Sequence, residues 1–247
     1  MKQNKCNKIQ GGNIMIDFND KRQVAKAIQY TNVNPNLTRE GMLKHLETCM
    51  KYDFQAAMVA PCYIELAKDV LKGTGIQVAS TLNFPIANDT LPMKIAALKE
   101  MIKTGVDQFD FPPNPGLLLG GEEKAYFEEM KQIVEVAHAS GVVVKAMLEF
   151  GYITTPELKA KAAQLACEAG IDWVKQSSGW GVGGCPADVE DVKILKANIE
   201  LPCRVKVSGK VNTLEKMKAM FEAGAELVGT SSGPAIVDGL VGDINAY

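Results

Sequence analysis

The sequence predicts an α/β fold, a single TIM (β/α)8 barrel, and three observations support this prediction. Eight short β-rich runs recur along the 247 residues, and segments with helical spacing lie between them. Several runs lack the apolar and polar alternation of a strand with one wet face, so both of their faces are expected to be covered. No Pro- or Ser-rich linker divides the chain into domains. An open doubly wound sheet is the alternative architecture.

The predicted strands fall into two groups of four. The first four are IQYTNV, AAMVA, QVASTLN and QFDF, at 28–33, 56–60, 77–83 and 108–111. The last four are VVVKAML, WVKQS, RVKVS and LVGTS, at 142–148, 173–177, 204–208 and 227–231. Stretches 167–179 and 221–233 match at seven of thirteen positions, as repeated strand-and-helix units would. This repetition favours the closed barrel.

The clearest helices follow Pro156 and Thr213. Thr213 is a predicted N-cap, and Gly224 lies where that helix should stop. The charged residues of 122–131 are expected to form a solvated helix face. We assign residues 15–247 to one barrel domain. Residues 1–14 are polar and contain two adjacent glycines, so a flexible lead-in is expected there, with Met15 as an alternative start.

Net charge, the length of apolar runs and cysteine spacing argue against several classes of function. Lys and Arg number 27 and Asp and Glu 29, which gives a net charge of −2 and disfavours nucleic acid as a partner. No apolar run approaches the length of a signal peptide or a membrane span. The six cysteines are spread singly, without metal-ligand spacing, so reduced thiols, no metal and a cytoplasmic location are expected.

Two lysines stand out among the strands. Reacting groups of such a barrel lie at the carboxyl ends of its strands. Lys175 and Lys206 occupy consecutive apolar strands, where burying an ammonium ion is costly. A lysine kept partly neutral can form a Schiff base with a carbonyl substrate, and a second lysine nearby lowers its pKa further. The alternative interpretation is a structural ion pair with a carboxylate.

The candidate carboxylate is Asp110, which lies between two phenylalanines and before two prolines. It could act as a general acid or base, or neutralise Lys145 or Lys206. Gly-rich segments SSGWGVGG, SGK and GTSSG close the second half of the chain, and the loops after strands seven and eight are where barrels commonly hold phosphate. Ser231, Ser232 and the charge of Lys210 fit such a site, although the glycines could also simply form turns.

From about residue 20 to 240 the sequence resembles the deoxyribose-phosphate aldolase family, the DeoC-type class I aldolases. DWVKQSSG is similar to the segment with the Schiff-base lysine, VKVSGK to the segment with the second lysine, and GTSSG to the phosphate loop. QFDFPPN stands where the family has its catalytic Asp. The resemblance implies imine formation by Lys175, with Lys206 lowering the pKa of that amine and joining a proton relay with Asp110.

The implied reaction is reversible cleavage of 2-deoxyribose 5-phosphate to acetaldehyde and glyceraldehyde 3-phosphate. No cofactor is expected, and a homodimer is expected by analogy. The candidate substrate- and phosphate-binding residues lie at the strand ends and in the loops that follow them. They are Thr31, Asn114, Ser178, Gly179, Ser208, Gly209, Lys210, Gly229, Ser231 and Ser232.

The chain departs from the family pattern around the substrate. Gln29, Tyr30 and Thr31 replace Asp-His-Thr, Met58 replaces a cysteine, and Gln176 replaces a threonine. Residues 209–212, GKVN, replace Gly-Gly-Ile-Arg. Three alternatives therefore stay open. The protein could be a similar aldolase for another sugar or aldehyde, a paralogue that binds a phosphorylated metabolite without turnover, or a phosphate-sugar isomerase.

Overall fold

The computed structural model describes residues 16–243 and contains a closed barrel of eight parallel strands. Neighbours in the chain pair with each other in order, and β8 pairs with β1 to close the ring. The strands are β1 (Ile28–Asn32), β2 (Ala56–Val59), β3 (Gln77–Thr81), β4 (Gln108–Phe111), β5 (Val143–Met147), β6 (Trp173–Lys175), β7 (Arg204–Ser208) and β8 (Leu227–Thr230).

Helices surround this barrel. They are α1 (Lys21–Lys26), α2 (Arg39–Tyr52), α3 (Ile64–Val70), α4 (Leu91–Lys103), α5 (Pro115–Leu119), α6 (Glu123–His138), α7 (Pro156–Glu168), α8 (Val189–Ala197), α9 (Leu214–Glu222) and α10 (Gly233–Asp238), with a 3-10 turn at Pro61–Tyr63. Within residues 16–243, no helix is both long and apolar enough to cross a membrane.

The predicted barrel and all eight predicted strands are confirmed. Several strands end earlier than expected, because the chain turns into the loops: β3 ends at Thr81, ahead of Asn83 with φ +50°. The predicted cap of α9 is confirmed, since Thr213 Oγ1 accepts the Lys216 N–H. Gly224 adopts φ +116° just past that helix. The expected lead-in at residues 1–14 lies outside the described residues.

Strand residues alternate between the barrel interior and the layer beneath the helices. Val174, Val205 and Val207 are fully buried in the main apolar cluster, which packs strands against helices. Their chain neighbours, including Lys175 and Lys206, are on the opposite faces of the strands. Small side chains such as Ala79 leave room inside the barrel for long polar ones. The fold therefore brings polar groups from several strands to one interior space.

One prediction for the helices was wrong. Glu129, assigned to a solvated face, is 5% exposed. Its Oε1 lies 2.9 Å from the Lys94 Nζ, and Lys94 is fully buried. The same oxygen accepts the Asn114 N–H, while Lys94 also donates to the Ala87 carbonyl. This pair joins α4 and α6 beneath two loops at the carboxyl ends of the strands, which explains its burial.

Candidate active site

The structure brings Lys175, Lys206 and Asp110 together inside the barrel. Lys175 and Lys206 are directly paired residues of β6 and β7. Their Nζ atoms lie 3.0 and 2.7 Å from the same Asp110 oxygen, Oδ2. Each of the three side chains is at most 3% exposed. Two amines and a carboxylate thus share one contact in a site largely shielded from water.

Lys145 of β5 is a third buried amine at this site. Its Nζ lies 3.3 Å from the other Asp110 oxygen, Oδ1, and is fully buried. Sequence reasoning considered Lys145 only as an ion partner and left it out of the catalytic set. A charged residue inside an apolar strand could have indicated a role for Lys145. Its distance to Asp110 depends on the register between β4 and β5, where the two residues pair directly.

Charge and burial shift the pKa values of these groups. Burial raises the pKa of Asp110, but the opposing effect of Lys206, Lys175 and Lys145 is larger. The pKa of Asp110 therefore lies below its ordinary range. Burial lowers the pKa of Lys206 well below its ordinary value, against the opposing effect of Asp110. The pKa of Lys145 is lowered for the same reason. The site therefore holds an ionised carboxylate beside two amines, those of Lys206 and Lys145, that release protons more readily than exposed lysines do.

Gln29 lies directly against this cluster. Its Oε1 accepts a hydrogen bond from the Lys206 Nζ at 2.5 Å. This is the position at which the chain departs from the family's aspartate, so an amide oxygen replaces a charged one. Met58, another departure, lies in a small apolar cluster with Ala56 and Ala79.

A second buried carboxylate shapes the loop after β6. Glu149 adopts φ +53° after β5, and its Oε1 accepts the Ser178 N–H at 3.0 Å. Burial raises the pKa of Glu149, although the bonds from Ser178 lower it in part. Ser177 Oγ accepts the N–H groups of Gly179 and Cys185. Glu149 is not among the site residues predicted from the sequence, although it is a charged residue at the end of an apolar strand.

Aromatic side chains pack along the same loop. The Trp180 ring meets the Phe84 ring edge to face, with centroids 5.8 Å apart. Gly183 packs against the Tyr152 ring so closely that a Cβ there would overlap it. The loop is therefore fitted between the segments that follow β3 and β5.

The predicted phosphate residues lie at the end of β7 and on the segments that follow β7 and β8. Ser208 is fully buried, and its hydroxyl donates to the Ser177 carbonyl. Gly209 has φ +97°, and a Cβ there would lie 2.5 Å from the Cys185 carbonyl oxygen. Lys210 is exposed, with φ +55°. The Ser232 N–H donates to Thr230 Oγ1, and Ser231 is its chain neighbour.

Three other predicted binding residues have local contacts. The Thr31 hydroxyl donates to the Gln29 carbonyl, and the Asn114 side chain caps α5 by accepting the Gly116 N–H. Gly229 lies inside the barrel, where a Cβ would stand 3.1 Å from Lys206 Cε. Gly229 thus makes room for the second lysine, and its assignment to substrate binding stays a prediction.

Two further departures from the family pattern have definite contacts. Gln176 is buried, and its Nε2 donates to the Ser208 carbonyl. Asn212 Oδ1 accepts a bond from Lys216 Nζ at 2.9 Å. Gln176 thus links the chain after β6 to the end of β7, and Asn212 links the segment after β7 to α9. Among residues 16–243, no group of three or more His, Cys, Asp and Glu side chains is arranged to hold a metal ion.

Paired buried lysines on a carboxylate, inside a (β/α)8 barrel, define the class of enzyme. Lys206, whose pKa burial lowers, is paired with Lys175, and two such lysines suit covalent catalysis on a carbonyl group of the class I aldolase type.

Comparison with known proteins gives the family. Residues 25–239 match the model for the DeoC/LacD family aldolases. The chain is 38% identical over 222 residues to a deoxyribose-phosphate aldolase of Thermococcus kodakarensis, covering 89% of this chain and 98% of that one. A relative of the same name from Thermoanaerobacter sp. is 38% identical over 216 residues, 87% of this chain and 96% of its own. The chain belongs to the DeoC/LacD family of aldolases, and the protein is a lyase of the class I aldolase type.

Solved structures share the fold. QR15, an aldolase, superposes with a TM-score of 0.81 at 26% identity, over 87% of this chain and 94% of that one. The deoxyribose phosphate aldolase of Aeropyrum pernix, described as tetrameric, gives 0.81 at 24% identity, over 89% and 92% of the chains.

Proposed function

We propose that the protein cleaves 2-deoxyribose 5-phosphate reversibly to acetaldehyde and glyceraldehyde 3-phosphate through an imine on Lys175. The observation that carries this proposal is the shared contact of Lys175 and Lys206 with Asp110 Oδ2, at 3.0 and 2.7 Å. Relatives that match nearly their whole length to this chain are named for the same reaction.

The proposed steps follow from the chemistry of an amine in a dry site. The neutral Lys175 amine attacks the aldehyde carbon of the open-chain sugar, and loss of water leaves an iminium ion. A base then removes the proton of the hydroxyl group beside the scissile bond. The electrons of that C–C bond move onto the iminium nitrogen, glyceraldehyde 3-phosphate leaves, and an enamine remains. Protonation and hydrolysis of the enamine release acetaldehyde.

Lys206 and Asp110 are proposed to move the protons in these steps. Asp110 Oδ2 contacts the amines of both lysines inside the barrel, so a proton can pass between the two amines through that oxygen over hydrogen-bond distances. Asp110 returns to its ionised form after each transfer because the surrounding lysines lower its pKa. It therefore stabilises the ammonium and iminium charges that appear as the reaction proceeds.

The segments after β6, β7 and β8 are proposed to hold the sugar and its phosphate. Ser178 and Gly179 follow the Schiff-base lysine in the chain, and Ser208 and Gly209 follow the second lysine. Lys210 is exposed and supplies positive charge beside Gly209. Ser231 and Ser232, with Thr31 and Asn114, complete the proposed set. These assignments rest on position at the carboxyl ends of the strands.

Borohydride reduction followed by intact-mass measurement tests the imine. Wild type, Lys175→Met and the surface variant Lys193→Met are incubated with 2-deoxyribose 5-phosphate, acetaldehyde and a panel of other sugar phosphates. We expect an adduct in wild type and Lys193→Met, mapped to Lys175, and none in Lys175→Met. Folded wild type without an adduct from any carbonyl would overturn the proposal and favour binding without turnover. Adducts only from other sugars would reassign the substrate.

Assembly and domain limits are part of the proposal. We propose a single barrel domain over residues 15–247 that acts as a homodimer, on the analogy with other barrels of this kind. Light scattering during size-exclusion chromatography checks this. A dimer mass near twice that of the 26.7 kDa chain is expected. A monomer or tetramer mass would contradict the dimer.

A further inference from the structure

Two aromatic rings meet across the mouth of the barrel. Phe84 lies three residues past the end of β3, and Trp180 lies five residues past Lys175, which ends β6. Their ring centroids are 5.8 Å apart in an edge-to-face arrangement. We call this pair the aromatic bridge. On the closed ring of eight strands, β4 and β5 separate β3 from β6, so a contact between the segments after β3 and β6 spans the mouth.

The segment that carries Trp180 is folded tightly. The Trp180 N–H donates to Ser178 Oγ at 3.1 Å. A Cβ at Gly184 would lie 2.2 Å from the Trp180 backbone nitrogen, so only a glycine fits there. The indole nitrogen is buried, while the residue as a whole is half-buried. Trp180 therefore has a defined position, with one part of its ring turned into the protein and another part accessible.

The segment that carries Phe84 is braced as well. Asn83 adopts φ +50°, and its Oδ1 accepts the Asp89 N–H at 3.2 Å. The Asn83 carbonyl accepts the Ala87 N–H at 3.1 Å. The buried Lys94 amine donates to the Ala87 carbonyl at 2.6 Å, which ties this segment to α4. Both rings of the aromatic bridge are thus held by segments with hydrogen bonds of their own.

The mouth has two chemically different sides. The side of the aromatic bridge is apolar, and Ile86 and Val182, in the same two segments, are 70% and 89% exposed. The segments after β7 and β8 form the other side, which carries the exposed Lys210 and the serines proposed to hold phosphate. A bound molecule can therefore direct its polar and apolar parts to different sides.

An acceptor aldehyde has to extend toward this mouth. In the synthetic direction of the proposed reaction, the enamine on Lys175 forms a C–C bond to the carbonyl carbon of the acceptor. The acceptor oxygen takes a proton, and hydrolysis of the resulting iminium ion releases the product. Deeper in the barrel, the space is filled by Asp110 and by Gln29 and Gln108, whose side chains bond at 2.6 Å. The rest of the acceptor therefore points outward.

The chemistry of the acceptor decides which side it contacts. A phosphate group is attracted to the side of Lys210, because a lysine offers charge-assisted hydrogen bonds. An alkyl chain instead gains free energy by leaving water for the apolar surface of the aromatic bridge.

We propose that Phe84 and Trp180 are specificity-determining residues that bind the carbon chain of non-phosphorylated acceptor aldehydes. The proposal rests on the proposed function and names the acceptor class for this side of the mouth, straight-chain aliphatic aldehydes. Full burial of one CH2 group corresponds to about a fourfold gain in binding. With acetaldehyde as the donor, kcat/KM of wild type should therefore rise about two- to fourfold per CH2 from propanal to butanal and pentanal.

The test compares wild type with Trp180→Ala, Phe84→Ala and Trp180→Leu, using propanal, butanal, pentanal and glyceraldehyde 3-phosphate as acceptors. Melting temperatures and borohydride trapping with acetaldehyde are measured alongside. In both alanine variants the gain per CH2 should fall below about 1.5-fold, while kcat/KM for glyceraldehyde 3-phosphate changes less than about threefold. Trp180→Leu keeps apolar surface and should retain part of the gain. The control Trp173→Phe, at the opposite end of β6 against Arg204, should match wild type.

The gain per CH2 separates a binding role from a structural one. A gain that falls in the alanine variants supports the proposal, because a general loss of structure lowers kcat/KM for every acceptor by the same factor. An equal loss for all four acceptors, an unchanged gain in folded Trp180→Ala or Phe84→Ala, or no gain in wild type overturns this inference. A trapped imine in wild type then leaves the proposed function standing. Absence of a trapped imine in wild type overturns both.

Discussion

Replacing Asp110 by Asn tests the electrostatics of the lysine cluster. Asn has nearly the same size, so packing is kept, but Lys145, Lys175 and Lys206 lose the carboxylate that lies within 3.3 Å of each. Removing one partner of a buried ion pair costs about 3–5 kcal/mol. We therefore expect the free energy of unfolding of Asp110→Asn at neutral pH to be lower than that of wild type by about this amount.

The deficit of Asp110→Asn, meaning its loss in free energy of unfolding relative to wild type, should become smaller as pH rises. In the folded protein the pKa values of Lys206 and Lys145 already lie below the ordinary value of 10.5, and loss of Asp110 lowers them further. The folded variant then binds fewer protons than the unfolded chain. Its stability rises with pH by about 1.4 kcal/mol per unit for each such lysine, until the unfolded chain also loses its protons. The deficit should therefore shrink as pH rises toward the lysine range.

Urea unfolding followed by circular dichroism at several pH values measures this. Asp53→Asn is the matched control, because Asp53 forms an exposed pair with Lys26 and has φ +55°, which Asn tolerates. The control should change the free energy of unfolding by less than about 1 kcal/mol. A deficit in Asp110→Asn that is no larger than in the control, or that stays constant as pH rises, would refute the reasoning.

Three further predictions concern other parts of the site. Gly229→Ala places a Cβ 3.1 Å from Lys206 Cε, so steady-state assays should show a lower kcat with KM nearly unchanged. Lys210→Asn removes exposed charge beside the proposed phosphate, so KM for the phosphorylated sugar should rise about tenfold and that for 2-deoxyribose should not. Lys94→Met leaves the Glu129 carboxylate buried without its cation, so urea unfolding should show a loss of about 3–5 kcal/mol.

Each of these has an outcome that would contradict it. For Gly229→Ala it is a higher KM at full kcat, which would indicate a role in substrate binding. For Lys210→Asn it is an equal effect on the phosphorylated and unphosphorylated sugars. For Lys94→Met it is a double variant with Glu129→Met that is no more stable than the single variant, because removing both charges should recover much of the loss.

The barrel could be predicted because each strand can be recognised from the residues of its own short segment. Apolar runs such as RVKVS mark buried parallel strands, and Lys175 and Lys206 stand out because charge is rare inside them. Consecutive parallel strands of a barrel are neighbours, so the closeness of these two lysines also follows from order along the chain. Their catalytic roles stay predictions.

Contacts that depend on register or on helix packing could not be predicted in the same way. The bond from Gln29 to Gln108 joins residues 79 positions apart across the barrel, and nothing local in either segment marks it. Glu129 was assigned to the surface because its neighbours 122–124 and 131 are charged, and those neighbours are exposed. Its burial against Lys94 depends on how α4 and α6 pack together. The contact of Lys145 with Asp110 likewise depends on strand register.

The loop after β6 is anchored separately from the buried lysines. Glu149 and Ser177 hold that loop through backbone N–H groups, whereas Lys175 and Lys206 are fixed by the strand ladder. Under the proposed function, substitutions in these loops alter which aldehyde is accepted while the amines keep their spacing. Directed evolution toward new acceptor aldehydes should therefore proceed fastest when libraries cover Trp180, Val182 and the exposed Lys210 and keep Gly183, Glu149, Ser177 and the strands constant.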